Sequence, residues 1–228
     1  MVVHREPSIE SCLKNARQAL LDATTVREPL LLLLSGGSCL DLLTNTFFDH
    51  LPEDTVIFPL DERVTSQAEE TNVWKIAQRM PAHMRTPFYE CGAHSDLEES
   101  LEKLGQRFTH NISVWLDAHP NGQIVATLGI GTDGHTAGIL PDLNAVRFDS
   151  HFEHGLVASY ESKDIYRGRV TVALPFLRQR VSKVIAYVVG NKKQAAFTML
   201  SQSLPLHQAP CGILSQMANV QLFTDLNN

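Results

Sequence analysis

Residues Ile124–Pro141, IVATLGIGTDGHTAGILP, combine an apolar run with a glycine-rich polar loop. The run from Ile124 to Leu128 is typical of a parallel strand that is buried on both faces. The glycines that follow let the backbone turn tightly and come close to a ligand. They surround Asp133 and His135, just past the carboxyl end of a strand, where open α/β sheets bind ligands. His135 is therefore a candidate general base, or else a hydrogen-bonded loop histidine beside an Asp that shapes the turn.

The composition indicates a chain that can build a sizeable core. Of its 228 residues, 43% are hydrophobic and 19% are charged, so we expect an ordered single domain over residues 1–228. The formal net charge of −6 argues against a nucleic-acid-binding surface but allows a local basic pocket. The sequence has no apolar core of a signal peptide and no run long enough to span a membrane. We expect a cytoplasmic protein with no membrane contact, as a monomer or weak homo-oligomer.

The cysteines and histidines do not predict a metal site. The four cysteines are too far apart to form a CxxC pair, and we interpret them as thiols in a reducing compartment. His151 and His154 could share one helical face, but no Cys or acidic partner stands at ligand spacing. The sequence therefore predicts no metal ligand.

Strands and helices alternate along the chain, as judged from apolar runs and amphipathic periods. The predicted strands are Leu30–Leu34, Thr55–Leu60, Phe88–Tyr89, Ile124–Leu128, Leu156–Tyr160, Arg169–Ala173, Val184–Val189 and Val220–Phe223. The predicted helices are Ser8–Asp22, Cys39–Phe48, Asn72–Met80, Ser95–His110, with a Ser95/Glu98 capping box, and Lys192–Leu200. This alternation predicts an α/β fold: a doubly wound, mainly parallel, Rossmann-like sheet with helices on both faces.

Other loops of the predicted sheet carry residues suited to an anion. The loop Ser35–Ser38, SGGS, lies between a strand and a helical pattern, where free amides and the helix dipole can face a phosphate. An ordinary tight turn would look the same. Arg63 could bind a phosphate through its planar guanidinium, or pair with Glu62 on the surface. Lys193 lies in the first turn of a predicted helix, where a cation is unfavourable unless it meets an anion, or it lies on a solvated face.

These candidates share one position in the predicted fold. Gly36, Gly37, Arg63, His135 and Lys193 all follow the carboxyl ends of predicted strands. Because such ends meet at one edge of a doubly wound sheet, we expect the five residues to converge on one crevice.

Most of the chain resembles the 6-phosphogluconolactonase family, which is related to the glucosamine-6-phosphate deaminases. Gly129–Ala137 is similar to the family signature GxGxDGHTAS, with Gly138 in place of the Ser. Leu34–Ser38 resembles the LSGGSTP phosphate loop, with Cys39 and Leu40 in place of Thr and Pro. The signature is the more specific of the two motifs.

Three shorter segments extend the resemblance. Asp61–Val64 is similar to the lactonase DERxV segment, Arg169–Thr171 to the RITLT strand, and Gly190–Lys193 to GxxK. Asn72 stands where the family has the Asn of a DSNY stretch, although the neighbouring residues differ.

Two positions favour a lactonase over a deaminase. The deaminases have a Glu before the Pro that follows DGH, and this chain has Leu140 there, which cannot transfer a proton. They also have a Tyr or similar residue after Asp-Glu, where this chain has Arg63.

The resemblance implies a hydrolase that converts 6-phospho-D-glucono-1,5-lactone to 6-phosphogluconate in the oxidative pentose phosphate pathway, without a metal or organic cofactor. His135 would be the general base that activates water, and Asp133 would orient it. The residues implied for substrate and phosphate binding are Gly36, Gly37, Ser38, Arg63, Arg169 and Lys193. A glucosamine- or galactosamine-6-phosphate deaminase-isomerase and a sugar-phosphate-binding protein without turnover remain alternatives.

Overall fold

A computed structural model describes residues 1–90 and 100–227 of the chain. Its strands are β1 Val2–Arg5, β2 Leu30–Leu34, β3 Val56–Pro59, β4 Asp61–Val64, β5 Gln123–Leu128, β6 Val157–Glu161, β7 Gly168–Val172, β8 Lys183–Tyr187 and β9 Val220–Thr224. Its α-helices are α1 Ile9–Thr24, α2 Asn45–Phe48, α3 Asn72–Ala77, α4 Ala82–Glu90, α5 Leu101–Ala118, α6 Ala145–Phe152, α7 Leu174–Arg180 and α8 Gln194–Met199. Short 3₁₀ helices cover Gly37–Leu42, Ala68–Glu70, Asn191–Lys193 and Pro210–Ser215.

A central sheet of six parallel strands has the order β1-β9-β8-β5-β2-β3. All five leucines of β2 are buried, as expected for a parallel strand whose two faces are both covered. The amphipathic helix α1 packs on β8 and β9, with Ser8 capping its first turn. The prediction of a doubly wound, mainly parallel α/β fold is confirmed.

The order of the strands determines where the loops meet. Strand β5 lies between β8 and β2, so the loops that follow these three strands emerge side by side. They carry His135, Lys193 and the Ser35–Ser38 segment, respectively. The predicted convergence of these loops at one sheet edge therefore agrees with the strand order.

A second sheet contains the antiparallel strands β4, β7 and β6, in that order. The sequence predicted that Asp61, Glu62 and Arg63 directly follow a strand, and β3 does end at Pro59, but it did not predict that these residues form a strand of their own, β4. The backbone hydrogen bond from Val172 N to Leu60 O, 3.1 Å, begins the pairing that buries Asp61 and Glu62. A strand made of charged residues was missed because its burial depends on a distant partner strand.

The helix predicted over Cys39–Phe48 is interrupted. A 3₁₀ helix ends at Leu42, Leu43 is extended, and Thr44 caps a new helix by accepting a hydrogen bond from Phe47 N. Thr is a favourable N-cap residue, so the helix restarts there instead of continuing.

Other differences concern short signals and helix ends. Phe88 lies in helix α4 and not in a strand, since two aromatic residues are too short a pattern to separate the two. The capping box at Ser95 lies outside the described residues. Helix α5 continues beyond His110 to Ala118, because its buried apolar stripe continues. Strand β1 was not predicted, and it pairs with β9 at the edge of the central sheet.

The core extends from the central sheet into the second one. Phe58 and Phe108 pack edge to face at 4.7 Å between ring centroids, which joins β3 to α5, and α5 also packs on β6 and β7. No helix in residues 1–90 and 100–227 has the length and apolarity needed to cross a bilayer.

Candidate functional site

The loop after β5 folds back on itself and carries the histidine. Gly131 N donates to His135 O at 2.8 Å, and Gly134 N donates to Gly131 O at 3.1 Å, with Gly134 at φ +84°. A Cβ atom on Gly131 would lie 2.1 Å from Nδ1 and Cε1 of His135. The ring therefore packs directly on the backbone of Gly131, which leaves no room for a side chain there.

Asp133 and His135 form a hydrogen-bonded pair. Oδ1 of Asp133 lies 2.6 Å from Nδ1 of His135 and also accepts from the His135 backbone N–H at 3.1 Å. Burial raises the pKa of Asp133, but the hydrogen bonds and charge of His135 outweigh burial, and the pKa lies below its ordinary value. Because an ionised carboxylate can only accept, Nδ1 carries a proton, and in the neutral form of the imidazole Nε2 then has a lone pair.

A cavity of about 350 Å³, called here the small cavity, brings most of the predicted residues together. Its walls include Gly36, Gly37, Ser38, Arg63, His135 and Lys193. These six come from segments that follow β2, from β4, and from the segments that follow β5 and β8. One predicted crevice thus contains six of the eight predicted residues.

The part of the small cavity near β2 is suited to an anion. Lys193 Nζ donates to Ser38 Oγ at 3.1 Å, and burial lowers the pKa of Lys193 below its ordinary value despite the opposing effect of nearby Cys39. A partly desolvated ammonium gains most from a negative ligand. Ser35 Oγ and Asn72 Oδ1 are buried, and neither has a hydrogen-bond partner among the described residues. Unsatisfied buried polar atoms of this kind are expected where a polar ligand binds.

Glu62 is buried, so it does not form the surface pair with Arg63 that the sequence left open. Its carboxylate accepts from three backbone N–H groups, those of Arg63 at 2.6 Å, Asn72 at 2.8 Å and Val73 at 2.7 Å. Burial raises the pKa of Glu62 to about 7. Glu62 thereby ties the start of α3 to β4 and places Asn72 beside the small cavity.

Asp61 and Asn72 line the small cavity, and reasoning from the sequence did not include them among the site residues. Burial raises the pKa of Asp61, and the positive charges of Arg63 and Arg169 oppose that rise. Asn72 Nδ2 donates to Asp61 O at 2.9 Å, and a Cβ on Gly36 would lie 2.3 Å from Asn72 Oδ1. Their place in the DERxV- and DSNY-like segments was the signal that could have identified them.

Arg169 lies outside the small cavity, opposite Arg63 in the second sheet. Its Nη2 donates to Asp164 Oδ2 at 2.6 Å, and its side chain is buried. A role of Arg169 in binding the phosphate stays a prediction.

A larger cavity of about 820 Å³, called the large cavity, is also lined by His135. It is lined by Thr132 and His135, which also line the small cavity, and by Asp133, Leu140 and Asp164. The imidazole of His135 therefore borders both spaces, and Leu140 contributes no ionisable group to either.

No cluster of three or more His, Cys, Asp or Glu side chains within residues 1–90 and 100–227 is arranged to hold a metal ion. Helix α6 ends at Phe152, so His154 lies beyond it, and the two histidines do not share a helical face. The His151 ring packs on Tyr160, with 5.4 Å between the ring centroids.

Comparison with known proteins agrees with the fold and identifies the family. Residues 4–223 match the family model described as glucosamine-6-phosphate isomerases/6-phosphogluconolactonase. A 6-phosphogluconolactonase of Chlamydia trachomatis is 34% identical over 153 residues, which cover 65% of this chain and 54% of that protein. The GDH/6PGL endoplasmic bifunctional protein of Oryctolagus cuniculus is 27% identical over 181 residues, 75% of this chain and 22% of that protein.

A solved structure shares the fold over nearly the whole chain. The 6-phosphogluconolactonase of Trypanosoma brucei superposes with a TM-score of 0.74 at 19% identity, covering 98% of this chain and 95% of that one. At this identity the superposition shows the common fold, and the family match depends on the sequence. Since that match extends over residues 4–223, the chain belongs to the glucosamine-6-phosphate isomerase/6-phosphogluconolactonase family.

Proposed function

We propose that this protein hydrolyses 6-phospho-D-glucono-1,5-lactone to 6-phosphogluconate, the lactone-opening reaction of the oxidative pentose phosphate pathway. The observation that carries the proposal is the position of His135. Its ring is held by Asp133 at one wall of the small cavity, and Arg63 and Lys193 lie in the other walls. A candidate base and the candidate cations for a dianion thus line a single cavity. The relatives named as 6-phosphogluconolactonases act on such a substrate.

The chemistry assigned to His135 follows from the proton on Nδ1. With the Nδ1 proton kept on the ring in a hydrogen bond to Asp133, Nε2 can accept a proton from water as the water oxygen attacks the lactone carbonyl. The tetrahedral intermediate then collapses, the bond between the carbonyl carbon and the ring oxygen breaks, and the imidazolium returns the proton to that oxygen. Asp133 maintains this tautomer of His135 and stabilises the transient positive charge on the imidazole, as the Asp of a Ser-His-Asp triad does.

The phosphate is assigned to the loop after β2 and to the cations near it. Gly36, Gly37 and Ser38 offer a short polar loop, and Lys193 and Arg63 offer positive charge. Binding of this remote dianion places the neutral lactone ring at His135 and reduces the entropy cost of the reaction. Arg169 is assigned a supporting role in binding the phosphate, because it lies directly opposite Arg63.

The deaminase-isomerase function of the same family is the second candidate. Its reaction requires a proton donor to open a sugar ring, and the deaminases place a Glu before the Pro that follows DGH. Leu140 occupies this position on the wall of the large cavity and cannot donate a proton. The geometry therefore favours hydrolysis over deamination.

We further propose that residues 1–228 act as one cytoplasmic domain, as a monomer or weak homo-oligomer, without nucleic acid and without a cofactor. A lactone is already an activated ester, so the residues named above suffice for its hydrolysis. The composition and the net charge of −6 support this assignment.

The test is the rate of lactone opening above the spontaneous rate. Hydrolysis releases one carboxylic acid proton, so a pH-stat follows it directly with freshly prepared lactone. His135→Ala should lower kcat by roughly 10²- to 10⁴-fold, the range for a lost acid–base group. His154→Ala, on an exposed residue after α6, is the matched control and should behave as wild type.

Three results would contradict the proposal. A folded wild type that does not accelerate opening would remove the lactonase assignment. Release of ammonia from glucosamine 6-phosphate would favour the deaminase. Tight binding of 6-phosphogluconate without turnover would indicate a sugar-phosphate-binding protein.

A further inference from the structure

Two arginines stand side by side in the second sheet. The antiparallel register of β4 and β7 places Arg63 directly opposite Arg169. Like charges at such positions destabilise a sheet. Arg169 is only 5% exposed, so water screens the repulsion weakly. The pair therefore requires compensating groups nearby.

The hairpin between β6 and β7 supplies them. The Tyr166 ring centroid is 4.8 Å from Cζ of Arg63 and 5.9 Å from Cζ of Arg169. Both distances fall within the range of cation–π attraction. The carboxylate of Asp164 accepts from Arg169 Nη2 at 2.6 Å. An aromatic face thus lies against both cations, and a carboxylate balances the charge of Arg169.

Hydrogen bonds within the hairpin fix the backbone at Tyr166. Ser162 N donates to Arg167 O at 2.6 Å, and Ser162 Oγ donates to the carbonyl of Tyr166 itself at 2.7 Å. Asp164 N donates to Ser162 Oγ at 3.3 Å. The backbone position of Tyr166 is therefore defined by the turn, and the ring packs against the arginines from there.

We propose that Tyr166 is a positioning residue that holds the guanidinium of Arg63 toward the small cavity, and that it thereby sets the preference for phosphorylated over unphosphorylated sugar acids and lactones. The identity of these ligands rests on the proposed function. Arg63 lines the small cavity, and an arginine already stacked on a ring loses less conformational freedom when it binds an anion. Asp164 accepts from Arg169, and Arg63 is the arginine of the pair that lines the small cavity.

The experiment compares three variants of the hairpin. Tyr166→Leu removes the aromatic face, and Tyr166→Phe keeps it while removing the hydroxyl. Ile165→Ala is the matched control, since the Ile165 side chain is 83% exposed on the same turn. Binding of 6-phosphogluconate and of gluconate is measured by calorimetry, which needs no turnover. Steady-state kinetics are measured with 6-phosphogluconolactone and with unphosphorylated glucono-1,5-lactone.

For Tyr166→Leu we expect the Kd of 6-phosphogluconate and the KM of its lactone to rise by roughly 3- to 30-fold, the range of one cation–π contact. The effect should fall on KM and not on kcat, and the unphosphorylated ligands should be unaffected. Tyr166→Phe should bind like wild type, and so should Ile165→Ala. In an Arg63→Ala background, Tyr166→Leu should have no additional effect on binding, because the contact is already lost.

Several outcomes would overturn the inference. Equal losses for phosphorylated and unphosphorylated ligands, a fall confined to kcat, or an undiminished effect in the Arg63→Ala background would each indicate that Tyr166 has only a structural role. A wild type that binds 6-phosphogluconate but does not hydrolyse the lactone would contradict the proposed function. The Kd of 6-phosphogluconate in Tyr166→Leu would then still decide the inference about Tyr166. A wild type that binds neither 6-phosphogluconate nor inorganic phosphate would overturn both.

Discussion

Replacing Asp133 by Asn removes a charge from the site while its hydrogen bonds remain possible. In the structure a single oxygen, Oδ1, accepts both from Nδ1 of His135 at 2.6 Å and from the His135 backbone N–H at 3.1 Å. The amide oxygen of Asn can occupy the same position and keep the ring orientation and the tautomer. Asp133→Asn therefore isolates the charge, and Asp133→Ala removes the charge and both hydrogen bonds.

The exposure of the pair limits the effect of the charge. The side chains of His135 and Asp133 are 37% and 51% exposed, so solvent screens them. A hydrogen bond to a charged group contributes about 1.5–3 kcal/mol, and an exposed ion pair contributes about 0–1 kcal/mol. Because the pair is this exposed, we expect the charge of Asp133 to contribute about 1 kcal/mol. We therefore expect kcat to fall by roughly 5-fold in Asp133→Asn. In Asp133→Ala the ring is no longer held, and the expected loss is roughly 10²-fold.

The assay is pH-stat hydrolysis of the phosphorylated lactone, with kcat and KM measured separately. Asp149→Asn on the exposed face of α6 is the matched control for removing one negative charge from the surface. If Asp133→Asn were as inactive as His135→Ala, the carboxylate itself would take part in the chemistry. If Asp133→Ala turned over at the wild-type rate, the reasoning that Asp133 holds the base would be refuted.

Three further changes test the anion site and the buried carboxylate. Lys193→Met should raise KM for the phosphorylated lactone by roughly 10- to 100-fold, because a hydrogen bond to a charged group is lost; a change confined to kcat would contradict this. Arg169→Ala should also raise KM, and an unchanged KM would exclude Arg169 from the phosphate site. Burial raises the pKa of Glu62 from 4.5 to about 7, so the folded protein binds more protons than the unfolded chain in this window. The free energy of unfolding should therefore fall as pH rises from about 4.5 to 7, by roughly 3 kcal/mol, and urea denaturation of Glu62→Gln should lack this component of the slope. Equal slopes in both proteins would refute it.

The sequence by itself determined the elements whose residues lie close together along the chain. The five leucines of β2 form one apolar run, and such a run needs no information about its partners to indicate a buried strand. The catalytic candidate is local in the same sense. Asp133 and His135 are two residues apart, and the glycines that fold their loop lie within the same few positions. Their contact was therefore predictable from the motif.

The candidate anion site was predictable in its residue types but not in its contacts. Lys193 and Ser38 are 155 positions apart in the chain, and they meet because β8 and β2 flank β5. The sequence predicted that such loops share an edge. It could not show that Arg169 lies outside the small cavity, since that depends on the separate antiparallel sheet.

The tertiary structure alone decided the conformation and the burial of the charged segment Asp61–Val64. In the sequence, three charged residues follow an apolar run, which leaves open whether Arg63 binds a phosphate or pairs with Glu62 on the surface. In the fold they form β4, where Glu62 accepts three backbone N–H groups and Arg63 stacks on Tyr166. Burial of charge is favourable only when distant groups provide the hydrogen bonds and opposite charges that water would otherwise supply. Those partners are brought together by the packing of the sheets, and no local pattern in the sequence specifies them.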